Sequence, residues 1–324
     1  MPPTPSGSTL LGPGEAVLAF DVGGTDTKSA VVDRDGRVLG VRRTPTPLDP
    51  DDPAGAVVRR LGALAREHLD EAAGSPPVIA AGISVPGLVD EVTGVAIFAS
   101  NLGWRNAPLR ELAERELGLP VTLRHDVRAA SDAEYRLGAA SAYADVVVLI
   151  IGTGIAGGLV LGGRPYTGGG FAGELGHALS DPDGERCACG AIGCLETISS
   201  AGAIARRYRA ATGREVSGAS EVLAAARAGD GDAGRIWAEA LDALAQHLAR
   251  LAAILAPEAV VIGGGLAQAG PALFEPLGER LDALLSFHRR PALLRARLGD
   301  DAGLLGSALA ARDLADSRVA RSGP

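Results

Sequence analysis

The chain has 324 residues, 47% of them hydrophobic and 22% charged, and a formal net charge of −8 at pH 7. This length favours two domains over one core, and an acidic chain without a Lys/Arg run is not expected to bind nucleic acid. No apolar stretch approaches the roughly 20 residues of a membrane span. Residues 1–14 lack the basic and apolar regions of a signal peptide, so we expect a disordered leader on a cytoplasmic protein without a membrane partner.

The first elements are predicted to form a three-stranded meander. An apolar run from Ala16 ends at Asp21, turns through the next glycines, returns as SAVV and turns again at Asp35-Gly36, a pattern typical of short antiparallel strands. By the same criteria, alternating strands and helices follow: a helix around Val57, the strands VIAAGISV and GVAIFA, a helix opened by Asn106, the strand VTLRHD, and the helix VRAASDAEYRLG.

The opening pattern recurs about 130 residues later as ADVVVLIIGTGIAGGLVLGGRPY, which again predicts a strand, a Gly-Thr-Gly turn and a returning strand. A long helix then stops at Pro257, the strand EAVVIGGG follows, and a last helix runs from Leu304 to Leu314. This order indicates an α/β protein with an internal duplication, one copy per domain. We expect a small domain at 15–124 with a helix at 302–316 packed back on it, a large domain at 125–301, and a tail at 317–324.

The stretch DVGGTDTK, Asp21 to Lys28, places a carboxylate at a strand end before a turn of small residues. Consecutive amides in such a turn can bind an anion, and glycine lets phosphate oxygens approach the backbone. The carboxylate would hold Mg²⁺ against those phosphates. A plain hairpin turn is the alternative, but the turn recurs at Gly152-Thr153-Gly154 and Lys28 is the only lysine of the chain. The pattern favours a nucleotide site that is neither a Walker A loop nor a dinucleotide motif.

All three cysteines fall within eight residues, ten positions after a histidine. His177, Cys187, Cys189 and Cys194 offer one nitrogen and three sulfurs, a tetrahedral set suited to Zn²⁺. Because four protein ligands leave no open position, the metal would be structural. It would stiffen a loop that ends next to Glu196; three free thiols are the alternative.

Four motifs, DVGGTDTK, GTGIAGG, GELGH and CACGAIGCLE, follow the order found in the ROK family (repressors, open reading frames and kinases). From Ala16 to about Leu314 the chain resembles the glucokinase-like members of that family. The resemblance implies a two-lobed actin-like ATPase (ribonuclease H-like) sugar-kinase fold with internal duplication. It also implies ATP, Mg²⁺ and structural Zn²⁺ as cofactors, a hexose as substrate, and a homodimer or dimer of dimers.

The resemblance also implies roles for individual residues. The expected sugar contacts are Gly87, Asn101, His125, Asp126, Glu174, His177 and Glu196, with His177 bridging zinc and sugar. The expected nucleotide contacts are Asp21, Gly23, Gly24, Thr25, Lys28, Thr153, Gly154, Gly263, Gly264 and Gly265. The alternatives are solvated acids at Glu174 and Glu196 and a helix-capping turn at the third glycine cluster.

Asp126 is the candidate general base, because the accepting hydroxyl needs a carboxylate within hydrogen-bond reach. Family members carry Asn-Asp where this chain has His125-Asp126, so the side chain expected to contact the sugar differs in shape and charge, which bears on substrate preference. An N-cap role for Asp126 is the ordinary alternative and can coexist with catalysis.

We therefore expect a kinase that phosphorylates a hexose, with glucose and its 6-hydroxyl favoured. N-acetylmannosamine, N-acetylglucosamine, fructose and allose are alternative substrates. A sugar-responsive repressor would carry a DNA-binding domain before the first strand, where only about fifteen residues precede it, so that reading is not expected. A non-catalytic sugar sensor remains an alternative, because His125 replaces the asparagine of the family's Asn-Asp pair.

Overall fold

A computed structural model describes residues 11–71 and 76–321. The chain forms two compact units. One extends to Ala133 and resumes at Asp300; the other is Glu134–Gly299. The boundary therefore lies after Ala133, later than the expected boundary between residues 124 and 125. The reason is that the strand ending at His125 pairs with the sheet of the first unit, so the helix that follows begins there.

The first unit is built on a five-stranded mixed sheet of order β3-β2-β1-β4-β8. These strands are β1 Val17–Val22, β2 Asp26–Val32, β3 Val38–Pro45, β4 Ala80–Val85 and β8 Val121–His125. The first three are antiparallel, and β1, β4 and β8 are parallel. A small antiparallel sheet lies between β4 and β8 in the chain: β5 Leu88–Asp90, β6 Val95–Ala99 and β7 Trp104–Ala107. The helices are α1 Pro53–Glu71, α2 Leu109–Leu117, α3 Asp126–Arg136, which crosses the boundary, and α9 Ala302–Arg321.

The second unit repeats this sheet with the order β11-β10-β9-β12-β13. Its strands are β9 Val146–Ile151, β10 Ile155–Leu161, β11 Arg164–Tyr166, β12 Ala259–Gly263 and β13 Ala292–Arg295. Its helices are α4 Glu196–Ser199, α5 Ala201–Thr212, α6 Ala219–Arg227, α7 Gly231–Leu255 and α8 Pro271–Leu284.

The two five-stranded sheets have the same topology, which confirms the predicted duplication. In each, an antiparallel meander of three strands is extended on its first strand by two parallel strands. The first hairpin of each meander has a three-residue loop, at residues 23–25 and 152–154. Each glycine-rich turn therefore occupies the same position in its sheet.

Apolar layers cover both faces of each sheet. In the first unit, α1 and α2 pack on one face through residues such as Leu61 and Leu64, and α9 packs on the other through Leu304 and Ala308. In the second unit, one face is covered by a large cluster that includes the apolar stripe of α7. With few aromatic residues, these cores consist mainly of Ala, Val, Leu and Ile.

Several sequence expectations need correction. Asn106 does not open a helix: it lies in β7 with a φ of 50°, and α2 begins at Leu109. Residues 1–10 of the expected leader lie outside the described residues, but residues 11–14 are ordered, because the Gly14 amide donates to the Arg34 carbonyl at 2.9 Å. The last helix extends over most of the expected tail, to Arg321, and residues 322–324 lie outside the described chain.

Across the described ranges, no helix combines the length and the hydropathy needed to cross a bilayer.

Candidate functional site

The first glycine-rich turn joins β1 to β2 and is braced from β3. The Gly23 amide donates to the Asp26 carbonyl at 2.8 Å and closes the loop. Thr46, just after β3, donates its hydroxyl to the Gly23 carbonyl at 2.8 Å and its amide to the Thr25 carbonyl at 2.8 Å. These bonds hold the turn in one shape, as an anion-binding turn requires. Thr46 was missed by sequence reasoning, because no local pattern links it to a turn about twenty residues earlier.

Asp21 lies at the end of β1 beside Ser84, Lys28 and the first turn of α9. Its Oδ1 accepts the Ser84 hydroxyl at 2.7 Å, and Lys28 is its partner across the β1–β2 ladder. A Cβ at Gly303 would come within 2.5 Å of Asp21 Oδ2, so this glycine lets α9 approach the carboxylate. Burial raises the pKa of Asp21, against the opposing effects of Ser84 and Lys28. A cation near the carboxylate would offset this desolvation.

Lys28 extends from β2 and donates to the backbone carbonyl of Asp300, just before α9. The predicted nucleotide residues of this unit therefore share one end of the sheet, where β1 ends and β2 begins.

Asn101 and Gly87 lie on the segments around the small sheet. A Cβ at Gly24 would come within 2.5 Å of Asn101 Nδ2, so the structure brings this predicted sugar residue against the first turn. Gly87 has a φ of 95°, and a Cβ there would lie 2.2 Å from the Phe98 carbonyl oxygen. The backbone of the β5–β6 hairpin therefore requires glycine at this position.

His125 ends β8 and Asp126 begins α3. Asp126 Oδ1 accepts the Val127 amide at 2.6 Å, and about a third of the side chain is exposed. His125 is buried, and burial, assisted by the Arg128 charge, lowers its pKa to about 4. The imidazole is therefore neutral at pH 7. Its Nδ1 lies 3.3 Å from Asp126 Oδ1 without meeting hydrogen-bond geometry.

The second glycine-rich turn joins β9 to β10 and is held by the segment that contains Glu196. The Gly152 amide donates to the Gly154 carbonyl at 2.9 Å, and the Ala201 amide donates to the Gly152 carbonyl at 2.9 Å. Glu196 Oε2 accepts the Ile155 amide at 2.7 Å. A Cβ at Gly154 would lie 2.4 Å from that same oxygen. The structure thus brings a predicted sugar residue, Glu196, against the predicted phosphate turn.

The third glycine cluster follows β12, and its three residues have different surroundings. Side chains at Gly263 and Gly264 would collide with Ile150 and with the Ile151 backbone. Gly264 also has a φ of 79°. A Cβ at Gly265 would meet nothing within 4 Å. Packing therefore explains the first two glycines, whereas Gly265 faces open space.

A cavity of about 230 Å³ opens beside Gly265. Its lining includes the apolar side chains of Leu223 and Trp237 and the polar side chains of Arg227 and Gln268. Sequence reasoning missed this cavity, because its walls come from α6, α7 and the segment after β12. An apolar cavity with few polar groups is typical of a site for a flat organic ring.

The segment GELGH lies along β10. Gly173 and Gly176 are tightly constrained, since a Cβ at either would come within 2.3 Å of a β10 carbonyl oxygen. Glu174 is exposed, and its carbonyl accepts the His177 amide at 3.0 Å. The close approach of this segment to β10 fixes the point from which His177 extends.

The four predicted metal ligands meet at one point. The ligand atoms of His177, Cys187, Cys189 and Cys194 all lie within 4.8 Å of one another. His177 Nδ1 is 3.6 Å from Cys187 Sγ, and the sulfurs of Cys189 and Cys194 are 3.7 Å apart. Zn–S bonds of about 2.3 Å and Zn–N bonds of about 2.0 Å give tetrahedral edges of about 3.5–3.8 Å. The residues therefore fit a zinc ion.

Two glycines allow the chain to place these ligands so close together. Gly190 has a φ of 98° and its amide donates to the Cys187 carbonyl at 3.0 Å. Gly193 has a φ of 74°, and a Cβ there would lie 1.5 Å from the Asp181 carbonyl oxygen. Burial raises the pKa of the Cys194 thiol to about 12. A bound cation would be needed to hold this group as a thiolate at neutral pH.

A model of the ROK family matches residues 17–314. The chain is 35% identical to the glucokinase of Thermotoga maritima, with 90% of this chain and 96% of that protein covered. It is 34% identical to the N-acetylmannosamine kinase of Salmonella typhi, with 91% and 98% covered.

Two solved structures are also similar. The ROK hexokinase of Thermus thermophilus has a TM-score of 0.83 and 36% identity, and covers 94% of this chain and 100% of its own. The ROK family glucokinase of Streptomyces griseus, solved in complex with glucose and AMPPNP, has a TM-score of 0.75 and 32% identity, with 92% and 100% covered. The predicted actin-like ATPase fold is thereby confirmed.

Proposed function

The chain belongs to the ROK family, and we propose that this hexokinase-type phosphotransferase transfers the γ-phosphoryl group of ATP to the 6-hydroxyl of glucose. The observation that carries the proposal is the similarity to a ROK glucokinase solved with glucose and AMPPNP, whose chain is covered in full. The identity of 35% to the Thermotoga glucokinase supports the same substrate.

Asp126 is proposed as the general base. It is partly exposed at the start of α3, where its Oδ1 accepts the Val127 amide at 2.6 Å. A carboxylate within reach of the accepting hydroxyl orients it and takes its proton as the phosphoryl group arrives. The neutral His125 imidazole beside it can accept or donate one hydrogen bond to a sugar hydroxyl without adding charge. Asn101 and Gly87 are assigned to the sugar as well.

The two glycine-rich turns are proposed to bind the phosphates of ATP. Gly23, Gly24 and Thr25 in the first unit and Thr153 and Gly154 in the second would direct amide dipoles at phosphate oxygens. Fixed dipoles of this kind stabilise negative charge that builds up during transfer without reorganising. Lys28, the only lysine, would add a positive charge beside the first turn.

The cavity beside Gly265 is proposed to hold the adenine ring. Leu223 and Trp237 would provide apolar contact with the ring, and Gln268 could bond to its polar edge. Gly263 and Gly264 would act indirectly, by letting the chain turn at the end of β12.

Mg²⁺ is proposed to be held near Asp21. The Asp21 carboxylate suits this ion, because proteins commonly bind Mg²⁺ through one or two desolvated carboxylates together with substrate phosphates. When bound, the ion would neutralise phosphate charge during transfer. Lys28, which pairs with Asp21 in the β1–β2 ladder, would also help to neutralise phosphate charge. Its positive charge already lowers the pKa of Asp21, against the effect of burial.

Zinc is proposed as a structural ion. His177 and the three cysteines would hold it, and it would stiffen the loop that leads into α4. His177 directs Nδ1 at the cysteines, which leaves Nε2 for a sugar hydroxyl. Glu174 and Glu196 are assigned to the sugar beside it.

N-acetylmannosamine is the second candidate substrate. The sequence identity to the Salmonella N-acetylmannosamine kinase is 34%, close to the 35% identity to the Thermotoga glucokinase. His125 stands where an asparagine is expected, which changes the hydrogen-bonding groups that face the sugar.

The test is a screen of ADP release with ATP and a set of hexoses and acylated hexosamines. We expect glucose to give the highest kcat/KM. A higher value for N-acetylmannosamine would favour the second candidate. If the protein binds glucose but releases no ADP in response to any sugar, it is a sugar sensor and not a kinase.

A further inference from the structure

Glu91 lies in the turn between β5 and β6 and bonds to residues on both sides of Asp126. Its Oε1 accepts the backbone amide of His125 at 3.0 Å and the Nε–H of Arg128 at 2.8 Å. Glu91 is largely buried, with 14% of its side chain exposed. A single carboxylate oxygen thus joins the end of β8 to the first turn of α3.

Glu91 is paired with two arginines. Arg128 is 6% exposed, and its Nη2 donates to the Val89 carbonyl at 3.1 Å. Arg124 Nε lies 3.1 Å from Glu91 Oε2 as an ion pair whose angle does not satisfy hydrogen-bond geometry. Buried charges persist only where partners compensate their lost hydration. Removing the carboxylate would take away the partner that both arginines share beside the β8–α3 junction, so the junction depends on this acid.

The other end of Glu91 is anchored in the β5–β6 turn. Asp90 Oδ1 accepts the amides of Val92 and Thr93 at 3.0 and 3.1 Å, and the Gly94 amide donates to the Asp90 carbonyl at 2.9 Å. These bonds fix the backbone from which the Glu91 side chain extends. Glu91 is therefore a largely buried acid that extends from a hydrogen-bonded turn.

We propose that Glu91 is a positioning residue that sets the place of the Asp126 carboxylate and the His125 ring through the backbone between them. This proposal rests on the assignment of Asp126 as the base. Because Asp126 Oδ1 is bound to the adjacent Val127 amide, the carboxylate moves with the junction. A displacement of about 1 Å in a catalytic group can lower turnover by about a hundredfold.

The test compares Glu91→Ala with Glu91→Gln in steady-state kinetics. For Glu91→Ala we expect kcat to fall by about 10- to 100-fold. The KM for ATP should stay within about twofold of the wild-type value, because Glu91 bonds to the β8–α3 junction and not to the glycine-rich turn at residues 23–25. Glu91→Gln should lose less than about tenfold, because its amide oxygen can still accept from the His125 amide and Arg128. A fall in kcat without a rise in the KM for ATP is the result that a general loss of packing would not give.

Glu114→Ala is the matched control. Glu114 Oε1 accepts the Val121 amide at 3.2 Å, at the opposite end of β8. It is thus another carboxylate that supports the same strand, away from Asp126. We expect its kcat to stay within about twofold of the wild-type value.

If Glu91→Ala does not fold, Arg128→Met takes its place, and we expect at least a fivefold loss of kcat with a normal KM for ATP. An active wild-type enzyme whose Glu91 and Arg128 variants keep kcat within twofold would overturn the positioning role alone. A wild-type protein that releases no ADP with any sugar would overturn the proposed function and this inference together.

Discussion

Glu196 Oε2 accepts the backbone amide of Ile155 at 2.7 Å, directly beside Gly154. Glu196 follows the last cysteine of the metal loop by two residues, and Ile155 is the first residue after the second glycine-rich turn. The segment that follows the metal loop and the turn proposed for phosphate are therefore joined within one unit by a charged hydrogen bond. A change in the metal loop should affect nucleotide binding as well as sugar binding.

We predict that Glu196→Ala weakens AMPPNP binding in the absence of sugar. A hydrogen bond to a charged group contributes about 1.5–3 kcal/mol, so we expect Kd to rise about tenfold or more, whereas Glu196→Gln should stay within about threefold because its amide oxygen can accept from Ile155. Calorimetric titration of both variants measures this. Glu185→Ala, which removes an exposed acid of the same loop, is the control. Unchanged AMPPNP affinity in Glu196→Ala would show that the bond does not shape the turn.

The metal site predicts one zinc ion per chain. The four ligand atoms lie within 4.8 Å of one another, with two pairs at 3.6 and 3.7 Å, so Cys194→Ser should lose the ion and lower the melting temperature. Elemental analysis of the purified protein and a thermal melt with and without chelator measure both effects. Ser180→Ala changes a neighbouring side chain that is not a ligand and should keep the metal. A purified wild-type protein without zinc would contradict the assignment.

We predict that Arg312 stabilises the fold through hydrogen bonds that lie outside the proposed active site. Its buried guanidinium donates to the carbonyls of Gly12 and Asp33 at 2.6 Å each and to that of Glu15 at 3.2 Å. Arg312→Met should lower the free energy of unfolding by about 2–4 kcal/mol, since hydrogen bonds of charged groups contribute about 1.5–3 kcal/mol each and are not additive. Urea denaturation measures it.

The control for Arg312 is Arg34→Ala. Arg34 forms an exposed ion pair with Glu15, and such pairs contribute at most about 1 kcal/mol. Equal losses of stability in the two variants would mean that the buried guanidinium does not hold residues 11–15.

We predict that two buried histidines lower the free energy of unfolding in mild acid. Burial lowers the pKa of His125 and of His247 to about 4, from a usual value of 6.5. Between those values the unfolded chain binds more protons than the folded one, so stability is full above pH 6.5 and falls as the pH drops toward 4. At pH 4.5 each histidine should cost about 2.5 kcal/mol relative to pH 8.

His247→Leu tests this pH dependence, because leucine suits the apolar surroundings of α7 and cannot titrate. The pH profile of the unfolding free energy should become flatter between pH 6.5 and 4.5 by roughly the share of one histidine. An unchanged profile would mean that His247 titrates normally in the folded protein.

Local patterns of the sequence predicted the glycine-rich turns and the metal ligands. The turns at residues 23–25 and 152–154 are marked by glycine between apolar strands, and the order of strands showed the duplication that the matching sheets confirm. The cysteines are close together in sequence, so their meeting point needed little knowledge of the fold.

Contacts between distant segments were not predictable in the same way. Thr46 braces the first turn from the end of β3, and Glu91 reaches the β8–α3 junction from a hairpin more than thirty residues earlier. Asn106 has the residue type of a helix cap, but it lies in β7, which pairs with β6, and has a left-handed φ of 50° three residues before α2 begins. In each case the observed structure depends on contacts between distant segments and not on local sequence propensity.

The central claim is that Asp126 is the base of a sugar kinase, and Asp126→Asn tests it most directly. Asparagine keeps the size of the side chain and an oxygen for the Val127 amide but cannot accept the hydroxyl proton. We expect glucose-dependent ADP release to fall by at least about a hundredfold while calorimetry shows glucose affinity within about threefold of the wild-type value. An Asp126→Asn enzyme that phosphorylates glucose at the wild-type rate would contradict the account.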